Sequence, residues 1–331
     1  MASTVLTDIN FLSEPFRDHM RGKFTTMLGL SNALLAEAPD NVINPNDTGY
    51  TIAIPRVEAL SGSSVQITSA TSTTINNLGD DKDIGIWIER EKAWGADQVL
   101  NHVAGVDLTT HVAEMLGEYW AIELQRIAVQ ALSGIFSTAL ASTHVKDDSS
   151  TTINVDGLLG ARYLLGDNAQ FLKNIVMNSK VFTDAVKDKI ANYDKASVDS
   201  YATGNVPYIL GMEVFQTDAL TATASVYPSY IGSKGAMLFK FRNRRQAQYS
   251  NASVFQIDRF IEVELNRSAK TGGGQDELIS RASICVHVPG IYWNTGSVTS
   301  NPTDAQLATG SSWGKSASDD KLIQLVQYKS L

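Results

Sequence analysis

The residue types that usually carry chemistry are sparse in this chain and do not converge. Histidine occurs at His19, His102, His111, His144 and His287, and Cys285 is the single cysteine. No two histidines stand at the i, i+4 spacing that sets a metal pair on one helix face, and there is no Cys-x-x-Cys. A lone cysteine can close no intrachain disulfide. It reads as a small buried apolar residue in a protein made in a reducing compartment. The nearest approach to a nucleophile elbow, Gly29-Leu30-Ser31-Asn32-Ala33, falls on a helical stretch and not at a strand-to-helix turn. Gly272-Gly273-Gly274 lacks the Lys-Ser/Thr and the following helix that a phosphate loop needs. It reads as a hairpin tip. The sequence therefore names no catalytic residue, no metal ligand and no cofactor.

Lys240, Arg242, Arg244 and Arg245 form the densest basic run, with Phe239 and Phe241 interleaved. One reading is a DNA-facing contact. The other is ion pairing within or between subunits of an acidic protein. The formal net charge of −8 argues against tight DNA binding, which works by counterion release from basic surfaces. It does not forbid lying beside DNA. No apolar run approaches the ~20 residues that span a bilayer. The polar N-terminus reads as no signal peptide.

These residues must be positioned by a folded body. Of 331 residues, 43 % are hydrophobic and 19 % charged, a balance that suits about two globular domains. The strongest periodicity predicts a helix over 107–138. Val112, Leu116, Trp120, Leu124, Ile127, Ala131 and Ile135 make one stripe, which Met115, Tyr119 and Ile122 widen. At about 30 residues it would be roughly 45 Å long, a spine. Earlier, Phe16, Met20, Phe24, Met27 and Leu28 predict an amphipathic helix in a segment with too few apolar residues for its own core.

Over 49–92, Ile52 and Ile54 alternate up to Pro55. Ile84, Ile86 and Ile88 alternate again, with Trp87 on the opposite face. The Ser/Thr-rich stretch between them is too long for an ordinary loop and reads as a projecting ribbon. Residues 156–220 alternate short helices and strands, an α/β layer, with SKVFTDAVKDKIANY helical and VPYILGMEVFQTD two short strands around Gly211. Over 253–289 a long hairpin is expected. Phe255, Ile257, Ile261, Val263 and Leu265 share one face of the outgoing strand. Ile284, Val286 and Val288 alternate with Cys285 and His287 on the return. LIQLVQY near the C-terminus is strand-like.

Four stretches together resemble the major capsid proteins of tailed bacteriophages. They are AWGADQVLNHVAGVDL before the spine, DGLLGARYLLGDNAQFLKNIVMNSKVFTDAVKD, IDRFIEVELNRSAKTGGGQDELISRASICVHVPGIYW, and NPTDAQLATGSSWGKSASDDKLIQLV. The third ends in the turn His287-Val288-Pro289-Gly290. The resemblance implies an α+β chain with the Hong Kong 97-type capsid fold. It implies an N-terminal arm (1–48), an extended loop (49–92), a peripheral domain with the spine helix (93–145 and 253–298) and an axial α/β domain (146–252 and 299–331). It implies a virion shell subunit, not an enzyme, assembled in the bacterial host cytoplasm into pentamers and hexamers.

The implied partners are a separate scaffolding protein, a portal, decoration proteins and packaged DNA held by non-specific proximity, with no membrane. Implied inter-subunit contacts fall at Lys82, Ile84, Ile86 and Trp87 in the ribbon. A second set falls at Thr271, Gly272, Gly273, Gly274 and Gln275 in the hairpin tip. Some relatives cross-link a loop lysine to an asparagine, and Lys82 and Asn266 stand as counterparts. An encapsulin-like compartment shell has the same fold and is the alternative reading.

Overall fold

The computed structural model describes residues 30, 33–47, 49–57, 66, 80–97, 108–188, 191–192, 208–242, 253–257, 261–268, 275–296 and 300–331. The elements run in chain order β1 (Leu35–Glu37), β2 (Thr51–Val57), β3 (Asp80–Asp97), α1 (Leu108–Ser137), β4 (Val145–Asp147), α2 (Val155–Tyr163), β5 (Asn174–Met177) and α3 (Ser179–Lys187). They continue with β6 (Ala191–Asn192), β7 (Tyr208–Ile209), β8 (Met212–Gln216), β9 (Tyr227–Gly232), β10 (Met237–Phe241), β11 (Ser253–Ile257), β12 (Ile261–Ser268) and β13 (Gln275–His287). The C-terminal stretch adds β14 (Ile291–Trp293), α4 (Asp304–Leu307), β15 (Trp313–Lys315) and β16 (Leu325–Ser330).

The first sheet is organised around β13. One of its edges pairs β12 and then β10, and the other pairs β3 from Asp97 back to Trp87. β3 continues past β13 to pair β2, from Ile86↔Thr51 to Asp80↔Val57. β1 adds in parallel to β10. Strand alternation then builds two cores at once. Ile86, Ile88, Ile284 and Val286 face α1, whose Leu116, Trp120, Leu124, Ile127, Ala131 and Ile135 join the same apolar cluster. Trp87 and Cys285, one residue out of phase, face the other way. There they meet Ile52, Ile54, Ala38 and Ile43.

The second sheet runs β4-β16-β9-β5-β8-β7-β6. Ile175, Met177, Ile231, Val326 and Tyr328 turn to a core shared with Leu158, Ala161, Val181 and Phe182 of α2 and α3. Val176, Tyr230 and Leu325 turn to the large cluster under α1. A layer covered on both faces is the α/β arrangement expected for this stretch. Its turn at Leu210 and Gly211, both at positive φ, joins the two short strands anticipated around Gly211.

Three expectations are corrected. Met115 and Ile122 are 67 % and 57 % exposed, so the spine buries its central stripe and not the widened face. The predicted helix after Asn178 stops at Lys187, and Ala191–Asn192 pairs β7 instead. The outgoing arm of the long hairpin is two antiparallel strands, β11 and β12, with Ile257 opposite Ile261 and Phe255 opposite Val263. The period could not reveal this. Directly opposed residues share a sheet face, and so do alternate residues of one straight strand. Both geometries put 255, 257, 261, 263 and 265 on one side.

Two sequence boundaries cross continuous structure. β3 runs unbroken through residue 92, and β10, from the 146–252 stretch, joins the first sheet. Pairing to β13 decides both, because a ladder is worth more to these strands than their position in the chain.

The C-terminal part closes over α1 at Gly134. A Cβ there would meet Leu307 O at 2.2 Å and Trp313 Nε1 at 2.6 Å. That indole N–H donates to the same Leu307 carbonyl at 2.8 Å. Gly134→Ala is therefore expected to destabilise by about 1–3 kcal/mol through overpacking, although alanine favours a helix by about 1 kcal/mol. Chemical denaturation reads the sign, and a stabilised variant would show that this contact yields freely.

Candidate assembly surfaces and a buried ionic hub

The residues anticipated as inter-subunit contacts separate by burial. Lys82 is exposed and Ile84 half-buried, near the start of β3, and the stretch before it that was read as a ribbon lies, but for residue 66, outside the described residues. Ile86 and Trp87 are closed inside the subunit, in the two cores that flank β3. They have no surface to offer a neighbour. Their alternation marks a strand covered on both faces, which a ribbon reading did not foresee. Gln275 begins β13, opposite Asp97 and Ser268. Thr271, Gly272, Gly273 and Gly274 lie outside the described residues. Asn266 stands on β12 opposite Glu277, and Lys82 on β3 opposite Pro55.

The basic run is partly accounted for within the subunit. Lys240 is buried, with Nζ 2.8 Å from Glu37 Oε1 and 2.7 Å from Asp40 Oδ1. Burial pushes its pKa down, but the two carboxylates outweigh that and hold it above the ordinary lysine value. Arg242 donates to Asp47 O at 3.0 Å and sits over the Trp87 ring at 5.5 Å. These two cations clamp the segment around β1 and the following turn onto the first sheet. Arg244 and Arg245 lie outside the described residues.

His144 is buried, with Nε2 3.0 Å from Asp320 O and Nδ1 2.7 Å from Thr143 Oγ1. Burial pushes its pKa below the ordinary value. Cys285 is fully buried, which pushes its thiol up to about 12 and keeps it in the unreactive protonated form. His19 and His102 lie outside the described residues, and His111 falls in the first turn of α1. Among the described residues no group of His, Cys, Asp and Glu could hold a metal ion. No helix among them is long and apolar enough to cross a membrane.

A polar cluster that the sequence did not announce lies at the root of the ribbon. Asp83, 1 % exposed, faces Arg56 Nε at 3.3 Å and His287 Nε2 at 3.5 Å. Gly290 N donates to its Oδ2 at 2.9 Å, and the Ser316 hydroxyl donates to its Oδ1. Arg56 also donates to Ser316 O at 3.0 Å. Burial pushes the Asp83 pKa up, but the facing His287 ring, the Ser316 hydroxyl and the Gly290 N–H outweigh it and hold the carboxyl below its ordinary value. Gly290 has a φ of +88°, and a Cβ there would meet Ala317 Cβ at 2.9 Å. Only glycine suits that turn on both counts. Its carbonyl accepts from Ser316 N and Ala317 N, so β13, the ribbon root and the C-terminal segment meet here. The motif His287-Val288-Pro289-Gly290 was legible in the sequence, but its partner Asp83 was not.

A second network joins the spine to the same body. Arg90 on β3 reaches Asp304 at 2.8 Å, and Arg126 on α1 pairs with both Asp304 and Glu123. Sequence reasoning also missed an exposed apolar stripe on α2. Val155, Leu159 and Tyr163 recur at i, i+4 and i+8 opposite the buried Leu158 and Ala161. The signal was there, a short helix apolar on two faces.

Comparison with known proteins gives the surfaces a context. The family model described as "Gp13-like: Major capsid protein 13-like" matches residues 66–324. The major capsid protein of Bacillus phage SPP1 is 24 % identical over 341 residues, covering 99 % of this chain and 98 % of that protein. Among solved structures, the capsid of Ralstonia phage GP4 superimposes with a TM-score of 0.58 at 10 % identity, over 90 % of this chain and 89 % of that one. The Cyanophage Pam1 capsid asymmetric unit gives a TM-score of 0.56 at 10 % identity, over 93 % and 91 %.

Proposed function

The chain belongs to the Gp13-like family of major capsid proteins, and from that premise we propose how one subunit builds the shell. It has the Hong Kong 97-type capsid fold and is a shell-forming component of a phage virion, assembled from many copies. The encapsulin-like alternative is not favoured.

The copies form pentamers and hexamers. The ribbon beyond β2 and β3 overlaps an adjacent subunit, and the tip between β12 and β13 reaches a neighbouring capsomer near a local three-fold position. The core under α1 serves as the peripheral domain, and the second sheet with α2 and α3 as the axial domain. A separate scaffolding protein, a portal and decoration proteins complete the particle in the host cytoplasm, and packaged DNA lies beside the shell without sequence-specific contact.

One observation carries this reading. β3 pairs β2 at its first residue, Asp80↔Val57, and β13 at its last, Asp97↔Gln275. The ribbon and the tip therefore leave the sheet at opposite ends of one 18-residue strand, about 60 Å apart at 3.3 Å per residue. A subunit whose two connecting segments attach at opposite ends of one strand can meet different neighbours with each, the heterologous contact that closes into rings. Expressed protein, with its scaffolding protein supplied, is expected to sediment as closed shells that electron microscopy resolves into five- and six-fold capsomers. A species that stays monomeric under all such conditions would sink the proposal.

A further inference from the structure

We propose that the Asp83 cluster is a positioning lock that fixes the direction in which the ribbon leaves the body. Asp83 is thereby a determinant of correct shell geometry. The inference rests on the reading that the ribbon meets a neighbouring subunit.

Asp83 is buried, and Lys82 beside it on the ribbon side is exposed. Its cross-strand partner is Ile54, two residues before Arg56. Beyond this rung the strands run only to Val57 and Asp80. Any change of angle here is multiplied along the whole ribbon. The carboxylate is held from three separate parts of the chain. Arg56 approaches from β2 at 3.3 Å, His287 and Gly290 from the end of β13 and its turn, and Ser316 from the C-terminal segment.

Apolar contacts alone do not fix that angle, because dispersion and area burial are non-directional. Ile52 and Ile54 pack on Trp87 and Cys285, and this core holds the root against the sheet without prescribing a heading. A buried ionic cluster contributes the reverse. Its desolvation cost offsets most of its attraction, so it adds little net stability, while the hydrogen bonds from Gly290 N and the Ser316 hydroxyl to Asp83 are directional.

The test compares full-length Asp83→Asn with the unsubstituted protein, under conditions in which the latter forms shells. Hydrogen exchange on unassembled subunits should rise about tenfold at the β2–β3 amides while α2 and α3 stay unchanged. Closed shells should fall at least severalfold in favour of open or irregular particles. A truncation in the second core, such as Val181→Ala, chosen to match the melting temperature of Asp83→Asn, should still give closed shells. That control separates positioning from stability.

If Asp83→Asn does not fold, Ser316→Ala removes one donor and should raise exchange at the β2–β3 amides and lower the yield of closed shells, each by a smaller factor. Unchanged exchange at the ribbon root overturns the proposal, as does a yield of closed shells equal to that of the matched control. Should removal of the ribbon abolish shells while Asp83→Asn assembles normally, the lock fails and the overlap stands. Normal assembly of both variants overturns the overlap itself.

Discussion

Trp120→Ala is expected to lower the unfolding free energy by about 3–5 kcal/mol, the range for truncating a large buried ring. Trp120 is fully buried in the cluster between α1 and the first sheet. Its ring stands edge-on to Tyr119 at 5.3 Å, and Tyr119 in turn to Trp94 of β3 at 5.1 Å. The indole N–H donates to Ser280 Oγ on β13 at 2.9 Å, and Ser280 is itself buried. Truncation therefore opens a cavity and also leaves a buried hydroxyl without its donor. Trp120→Phe separates the two effects. It restores much of the volume, so the remaining loss should be near the 1–3 kcal/mol of an unsatisfied polar group. Denaturant midpoints of both variants, with an unchanged slope, check the pair. A Trp120→Ala protein of near-normal stability would mean that α1 does not hold the first sheet.

Replacing residues 61–77 with a short Gly-Ser linker should leave a folded subunit and abolish stable shells. The fold should survive because every buried anchor of the root among the described residues lies outside the replaced span. Ile52 and Ile54 precede it, and Asp83, Ile86 and Trp87 follow it. Assembly should fail for an entropic reason. The stretch is rich in serine and threonine and poor in large apolar side chains. Ordering it costs about 1–2 kcal/mol per residue in backbone entropy alone. Apolar burial returns only about 25 cal/mol per Å², so its own side chains cannot offset that cost. On the proposed overlap, the compensating contacts come from a neighbour. Circular dichroism and a cooperative melt report the fold, and light scattering reports assembly. Outright unfolding would place the span in the subunit core, and normal shells would make it dispensable.

The spine, the α/β layer and the C-terminal strand were legible because each rests on a local period. Leu116, Trp120, Leu124, Ile127, Ala131 and Ile135 repeat at helical spacing and are buried together. Ile86 and Ile88 alternate with Trp87, and the two sets occupy opposite cores. The turn at Leu210 and Gly211 followed from glycine's access to positive φ. The family resemblance was likewise carried by the order of such segments.

What the chain alone left open depended on partners distant in sequence. Periodicity says which residues share a face, but not what covers that face. It could not tell a straight strand from β11 and β12 folded back, since both keep the same face. Nor could it show that Trp87 is covered by Ala38 and Ile43, or that Met115 and Ile122 stay largely exposed. The basic run held four cations on paper. Tertiary contacts assign Lys240 to Glu37 and Asp40 and Arg242 to Asp47, contacts across some 200 residues of chain. Asp83 gave no signal, since a single aspartate beside a strand reads as a solvated charge. Only the fold brings it to Arg56, His287, Gly290 and Ser316. A buried charge is tolerable when all its partners converge on it, and that convergence belongs to three-dimensional packing, which no local pattern encodes.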